Sequence, residues 1–107
     1  MPEKEQPIDK SWSNLTSVDK LIHEPARLAA IAILDAVESA DFLYLQRATG
    51  LTKGNLSVHL QKLEEGGLIV IQKTFQGKYP RTLCKLTTKG KESFKAYKEQ
   101  MKGVLGK

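Results

Sequence analysis

The sequence predicts one mostly helical α+β domain in the order α-α-α-β-β-α, with a further short helix suggested in front. Three observations predict it. Leu56, Leu60 and Leu63 recur at i, i+4 and i+7 and form one apolar stripe, which ends at Gly66-Gly67. A β-branched run, Leu68-Ile-Val-Ile71, follows at once and continues to Phe75; a turn-rich stretch, Gln76-Gly-Lys-Tyr-Pro-Arg81, separates it from a returning strand over Thr82 to Leu86. Finally, the positive charge is concentrated. Between Thr52 and Lys91 stand eight basic and two acidic residues, whereas the rest of the chain carries nine basic and ten acidic ones.

Each element has its own signal. Residues 1–11, rich in proline and charge, read as a flexible tail. Trp12, Leu15, Val18, Leu21 and Ile22 recur at helical spacing and suggest the short leading helix. Pro25 suits the first turn of the next helix, where its missing N–H costs nothing. That helix, Ala26 to Ser39, carries Leu28, Ile31, Ile33, Leu34 and Val37 around much of its circumference, as a central core helix does. Asp41 caps a second helix anchored by Phe42, Leu43 and Leu45. Thr49-Gly50-Leu51 makes a tight turn with Gly50 left-handed, and Thr52 caps the third helix. Pro80 cannot donate to a ladder and belongs at the hairpin tip or an edge. Thr87 caps a last helix bearing Phe94, Tyr97, Met101, Val104 and Leu105. The domain is expected over 12–102, with 103–107 as the C-terminal end.

At 107 residues the chain suits one domain and leaves little room for a second, ligand-binding one. The longest apolar run, Leu28 to Leu34, has seven residues, far short of a membrane span. The N-terminus has no signal-peptide core, and the single cysteine, Cys84, cannot form an internal disulfide. A cytoplasmic location without membrane contact is expected. The net charge of +5, localised as above, favours a polyanionic partner.

Two helices joined by a short glycine-containing turn, followed by a basic hairpin, make a winged helix-turn-helix. The third helix, about 21 Å long at 1.5 Å per residue, fits the major groove of duplex DNA. Thr52, Lys53, Gly54 and Asn55 at its N-terminal end are the first candidates for close approach. Asn55 can pair with adenine, Lys53 or Lys62 with guanine or phosphate, and Val58 with a thymine methyl, with Ser57 and His59 alongside. Gly54 is a poor helix former, costing about 1 kcal/mol against alanine; a side chain there is expected to collide with phosphate or with the neighbouring helix. In the wing, Lys73, Lys78, Tyr79 and Arg81 are candidates for the minor groove or the flanking backbone, with Lys85 and Lys89 able to neutralise phosphates. The competing reading of the same lysines is a solvated face that protects a sheet edge.

Phe94, Tyr97, Met101 and Val104 at 3-4-3 spacing approach a coiled-coil seam. With Leu105, and with Trp12 and Leu15 joining, they are the candidate dimer interface; the competing reading packs the helix on its own domain. No phosphate loop, nucleophile elbow or zinc motif is present in the sequence. No catalysis, cofactor or metal is expected, and an effector is left open. Cys84 alternates with core-facing Leu86 and reads as buried and inert rather than as a redox switch.

These residues resemble a known group. Ser57-Val-His-Leu-Gln-Lys-Leu-Glu-Glu-Gly-Gly-Leu68 is similar to the S-x-H-L-x-x-L-x-x-x-G-L signature of ArsR-type repressors. Leu86-Thr-Thr-Lys-Gly90 resembles the L-T-x-x-G opening of the last helix in MarR-type regulators, and His23-Glu-Pro-Ala-Arg-Leu28 the start of their core helix. Over roughly residues 20 to 100 the chain looks like small, stand-alone prokaryotic winged-helix regulators related to both. The resemblance implies a homodimeric DNA-binding transcription factor, most often a repressor. It places base contacts on Lys53, Asn55, Ser57, Val58 and His59, and backbone contacts on Lys62, Lys78 and Arg81. With one cysteine and no histidine after His59, the chain departs from metal-sensing ArsR proteins. The alternative is a winged-helix protein-interaction module without specific DNA binding.

Overall fold

The computed structural model describes residues 15–105. Trp12 therefore lies outside the described residues, as does the side chain of Val104. Along the chain run α1 (Ser17–Ile22), α2 (Pro25–Ala36), β1 (Ala40–Asp41), α3 (Phe42–Thr49), α4 (Lys53–Glu65), β2 (Ile69–Gln76), β3 (Tyr79–Leu86) and α5 (Thr88–Val104). This is the expected winged helix-turn-helix with its leading helix, plus one strand. The third helix of the sequence reading is α4.

Local signals start most helices. Around α1 the Thr16 hydroxyl accepts from the Asp19 N–H at 3.0 Å and the Asp19 carboxylate accepts from the Thr16 N–H at 3.0 Å, a reciprocal capping box. Pro25 occupies the first turn of α2, as expected, and Glu24 caps it by accepting from the Arg27 N–H at 2.9 Å. Asp41, Thr52 and Thr87 cap α3, α4 and α5 through their side chains. Gly50 closes α3 with φ 72°, the left-handed conformation expected of it.

The core is one cluster. Ile31 and Leu34 of α2, Leu45 of α3, the Leu56-Leu60-Leu63 stripe of α4, Ile69, Cys84 and Leu86 of the sheet, and Phe94 and Tyr97 of α5 are all buried in it. One boundary and two anchors differ from expectation. The core helix stops at Ala36 instead of Ser39, because the chain turns extended at Val37 (φ −127°, ψ 163°) to enter β1. Val37 is consequently exposed, and so is Leu43 on the outer side of α3.

The sheet has three antiparallel strands in the order β1-β3-β2. β1, absent from the sequence reading, pairs Ala40 with Cys84 and Asp41 with Leu83. The hairpin is longer and its turn tighter than expected. Pairing continues from Ile69↔Leu86 out to Gln76↔Tyr79, so only Gly77 and Lys78 form the turn, with Gly77 at φ 63°. Pro80 thus stands in β3 opposite Phe75 and not at the tip. It is tolerated because β1 covers β3 only at Leu83 and Cys84, leaving an open edge beside Pro80 where no ladder bond is lost.

The start of α5 is locked onto the end of α4. The Thr87 hydroxyl donates to the Gly67 carbonyl at 2.7 Å and accepts from the Gly90 N–H at 2.9 Å, while the Thr87 N–H donates to the Leu68 carbonyl at 3.0 Å. Gly90 sits directly against that peptide: a Cβ built there would overlap the Leu68 carbonyl oxygen.

Candidate nucleic-acid interface

The leucine stripe seals one side of α4 and turns the other outward. Thr52, Lys53, Gly54, Asn55, Ser57, Val58 and Lys62 are all exposed. The helical repeat divides this surface in two. Lys53, Ser57 and Gln61, four apart, line a groove shared with Ile71, Lys73 and Thr82 of the hairpin, with Phe42, Leu60 and Glu64 also in its wall, Glu64 accepting from the Ile71 N–H at 3.3 Å. The groove holds about 460 Å³. Gly54, Val58 and Lys62 face directly away from the core, and Val58 keeps 51 % of its surface. Gly54 has nothing of this protein within 4 Å of where a Cβ would be, so the neighbouring helix does not explain it. Gln61 joins this surface although the sequence reading passed over it; its spacing from Ser57 was the available signal.

His59 is half-buried on the flank nearest α2. Its Nδ1 lies 3.2 Å from the Arg27 guanidinium and 3.7 Å from the Glu24 carboxylate. Burial works to raise the Glu24 carboxyl, but the N–H bond from Arg27 and the nearby His59 and Arg27 side chains hold it below the usual carboxylate value. Arg27 also donates to the Leu21 carbonyl. His59 therefore ties α4 to the start of α2, and Nε2 is its ring atom away from that tie.

On the hairpin, Lys73, Lys78 and Tyr79 are exposed. Arg81 is not at the tip. It sits two residues into β3 opposite Thr74, and its guanidinium donates to Asp41 Oδ2 at 3.2 Å. Asp41 thus caps α3, accepting from the Tyr44 N–H at 2.8 Å, and braces the wing at the same time. The Tyr44 bond, with Arg81 behind it, outweighs burial and holds the Asp41 carboxyl below its ordinary 3.8. A depressed carboxylate stabilises the fold above its ordinary value, and that contribution disappears as pH falls through the depressed one. Asp41→Ala is accordingly expected to cost about 1 kcal/mol at neutral pH. Urea denaturation of both proteins should show the gap closing below about pH 4; a gap constant down to pH 2 would remove Asp41 from this role.

The candidate dimer residues lie at different depths in the chain. Phe94 is 6 % and Tyr97 3 % exposed, both packed into this chain's own core, and Tyr97 hydroxyl bonds His23 Nδ1. These two rings are covered by α1 and the sheet and leave no free seam. Met101 and Leu15 are half-buried, and Leu105 is 73 % exposed. Cys84 is fully buried, and burial pushes its thiol up to about 11, so it is not an accessible thiolate. Among the described residues no group of three His, Cys, Asp or Glu is placed to hold a metal ion, and no helix is long and apolar enough to cross a membrane.

Residues 26–105, which include this exposed polar helix and the basic two-stranded wing, match a family model described as a winged helix DNA-binding domain. The chain belongs to this winged-helix DNA-binding family. It is 37 % identical over 78 residues to the uncharacterized protein MJ0432 of Methanocaldococcus jannaschii, covering 73 % of this chain and 85 % of that one. The structure superimposes on a transcriptional regulator homologue from Pyrococcus horikoshii OT3 with a TM-score of 0.83 at 28 % identity, covering 92 % of this chain and 96 % of that one. A MarR-family regulator from Enterococcus faecalis V583, described in its report as putative, shares the fold with a TM-score of 0.73 at 20 % identity, covering 98 % and 93 %. This winged-helix chain thus carries a DNA-binding domain and shares its fold with MarR-family regulators.

Proposed function

We propose that this chain is a sequence-specific duplex DNA-binding transcriptional regulator that works as a homodimer and represses by occluding a promoter. The observation that carries this reading is the outward face of α4. Lys53, Asn55, Ser57 and Val58 stand exposed at its N-terminal half, beside a segment from Gly66 to Lys91 that holds six basic and no acidic residues. A helix of this size enters the major groove, where Asn55 suits adenine, Lys53 guanine or phosphate, and Val58 a thymine methyl. Thr52 and Lys62 at either end, Gly54 by its missing side chain, and Ser57 and His59 complete the surface. Lys73, Lys78 and Tyr79 extend it along the backbone or minor groove, with Arg81 bracing the wing from the third pair below its turn. Exposed Leu105 just past α5, with half-buried Met101 one turn before it and half-buried Leu15 ahead of α1, supports a two-fold contact through the end of α5. Two-fold symmetry then sets two recognition helices about 34 Å apart on a palindromic site.

The test is selection of bound sequences from random duplex DNA, followed by affinity against salt. A palindromic consensus with steep salt dependence is expected. On that site, Lys53→Ala and Asn55→Ala should each cost about 1–3 kcal/mol and relax specificity at one position, and Lys78→Ala should lower the salt slope by about one. Wild-type binding by all three variants would mean that another surface meets DNA. Absence of any DNA binding at low salt would favour the protein-docking reading instead. Sedimentation of the free chain and of the complex decides the dimer.

A further inference from the structure

Phe75 has no place in the core and none in the contacts assigned so far. Its ring is 70 % exposed, on β2, one residue before the hairpin's end pair. Alternation puts it on the same sheet face as Ile71 and Lys73, the face that forms the hairpin wall of the groove beside α4. Its cross-strand partner on that face is Pro80. The wing therefore continues the floor of the groove outward past α4 and finishes it with an apolar pair, Phe75 and Pro80. Tyr79, 77 % exposed, lies on the opposite face of the same two-residue tip.

We infer that Phe75, backed by Pro80, is an apolar wedge that enters the minor groove of duplex DNA next to the segment read by α4. The inference rests on the DNA-binding reading above and adds a specificity-determining residue to it. Charge identifies the occupant. Lys73 stands two residues before Phe75 and Lys78 three after it, both exposed and neither in an ion pair among the described residues. The nearby carboxylates are engaged, Glu64 at the α4 end of the groove by the Ile71 N–H and Asp41 by Arg81, so the outer end of the hairpin suits phosphates. Continuity does the same: DNA lying along Lys53 and Ser57 passes over Lys73, which lines the groove with them, and then over Phe75, which lies outside the groove on the same sheet face as Lys73. Apolar side chains set in a minor groove part or unstack base steps, and the cost depends on the step deformed, least at pyrimidine–purine steps. Phe75 thus selects sequence at a flank where no hydrogen bond reads a base.

The experiment uses the full chain and the duplex obtained by selection, with 2-aminopurine placed in turn at each flanking step. Wild type should raise the fluorescence at one step and prefer a pyrimidine–purine step there. Phe75→Ala should lose the fluorescence change and the flank preference, and bind about tenfold more weakly, with its salt slope unchanged because the phosphate contacts remain. Phe75→Leu, which keeps an apolar wedge, should recover part of both. The exposure of Phe75 predicts an unaltered thermal melt for both variants. If Phe75→Ala keeps wild-type flank preference and fluorescence, the wedge is refuted while the regulator reading stands. If wild type binds no duplex at all, both fall together.

Discussion

Gly90→Ala is expected to destabilise the domain by about 3 kcal/mol or more, a fall in melting temperature of more than about 10 °C for a chain of this size. Alanine normally favours a helix over glycine by about 1 kcal/mol, so the expected sign is opposite to that of local propensity. The reason is the Leu68 peptide. Its carbonyl oxygen occupies the place of the missing Cβ, and the same carbonyl accepts the Thr87 N–H that starts α5. Moving α5 away to admit a methyl group would break that bond, strain the Thr87 bonds to Gly67 and Gly90, and lift Phe94 and Tyr97 from the core. Gly66 is a useful contrast. A Cβ there meets only the end of the Leu21 side chain, which can rotate, so Gly66→Ala serves as the mild control. Thermal and urea denaturation measure both; a Gly90→Ala protein that melts within about 2 °C of wild type would show that the junction yields freely.

The second large effect separates stability from binding. Gly54→Ala is expected to raise stability by about 1 kcal/mol, because the helix gains propensity and the added methyl meets nothing within 4 Å. The same change should weaken operator binding by about tenfold, and Gly54→Leu by about a hundredfold, if the proposed face meets the groove wall. Melting curves and titrations on one preparation give both numbers. A variant that is more stable and binds as well as wild type would mean that DNA does not approach Gly54. A loss of binding with no loss of stability cannot be attributed to misfolding, which makes this position a sharper probe than any charged residue nearby.

What the sequence made legible was local. The Leu56-Leu60-Leu63 stripe, the caps at Asp41, Thr52 and Thr87, and left-handed Gly50 are each set by residues within one or two turns, and each stands where expected. What it concealed was made by distant partners. β1 has two residues and no periodicity; it exists only because Cys84 and Leu83 pair with it. Arg81 looked like a tip residue because Gly, Lys, Tyr and Pro in succession suggest a broad loop, whereas a two-residue turn carries the pairing through Pro80. Phe94 and Tyr97 have the spacing of a seam, and spacing cannot say whether a second chain or the first covers them. His59 meets Arg27, 32 positions away, which no short motif encodes. For the candidate interface the consequence is specific: the exposed face of α4 was readable, while the brace of the wing and the apolar end of its floor were not.

The two-residue strand has an effect out of proportion to its length. β1 runs directly into α3, and Asp41, its last residue, holds Arg81 across the sheet. The helix pair and the hairpin are thereby tied to each other as well as to the common core. If α4 and the wing both meet DNA as proposed, such an arrangement works as a ruler: the distance between the bases under α4 and the flank under the wing is set by the protein, so the number of base pairs separating them becomes part of the message. A signal that breaks the Asp41–Arg81 bond would then change that spacing, while one that leaves it intact would tilt helix and wing together.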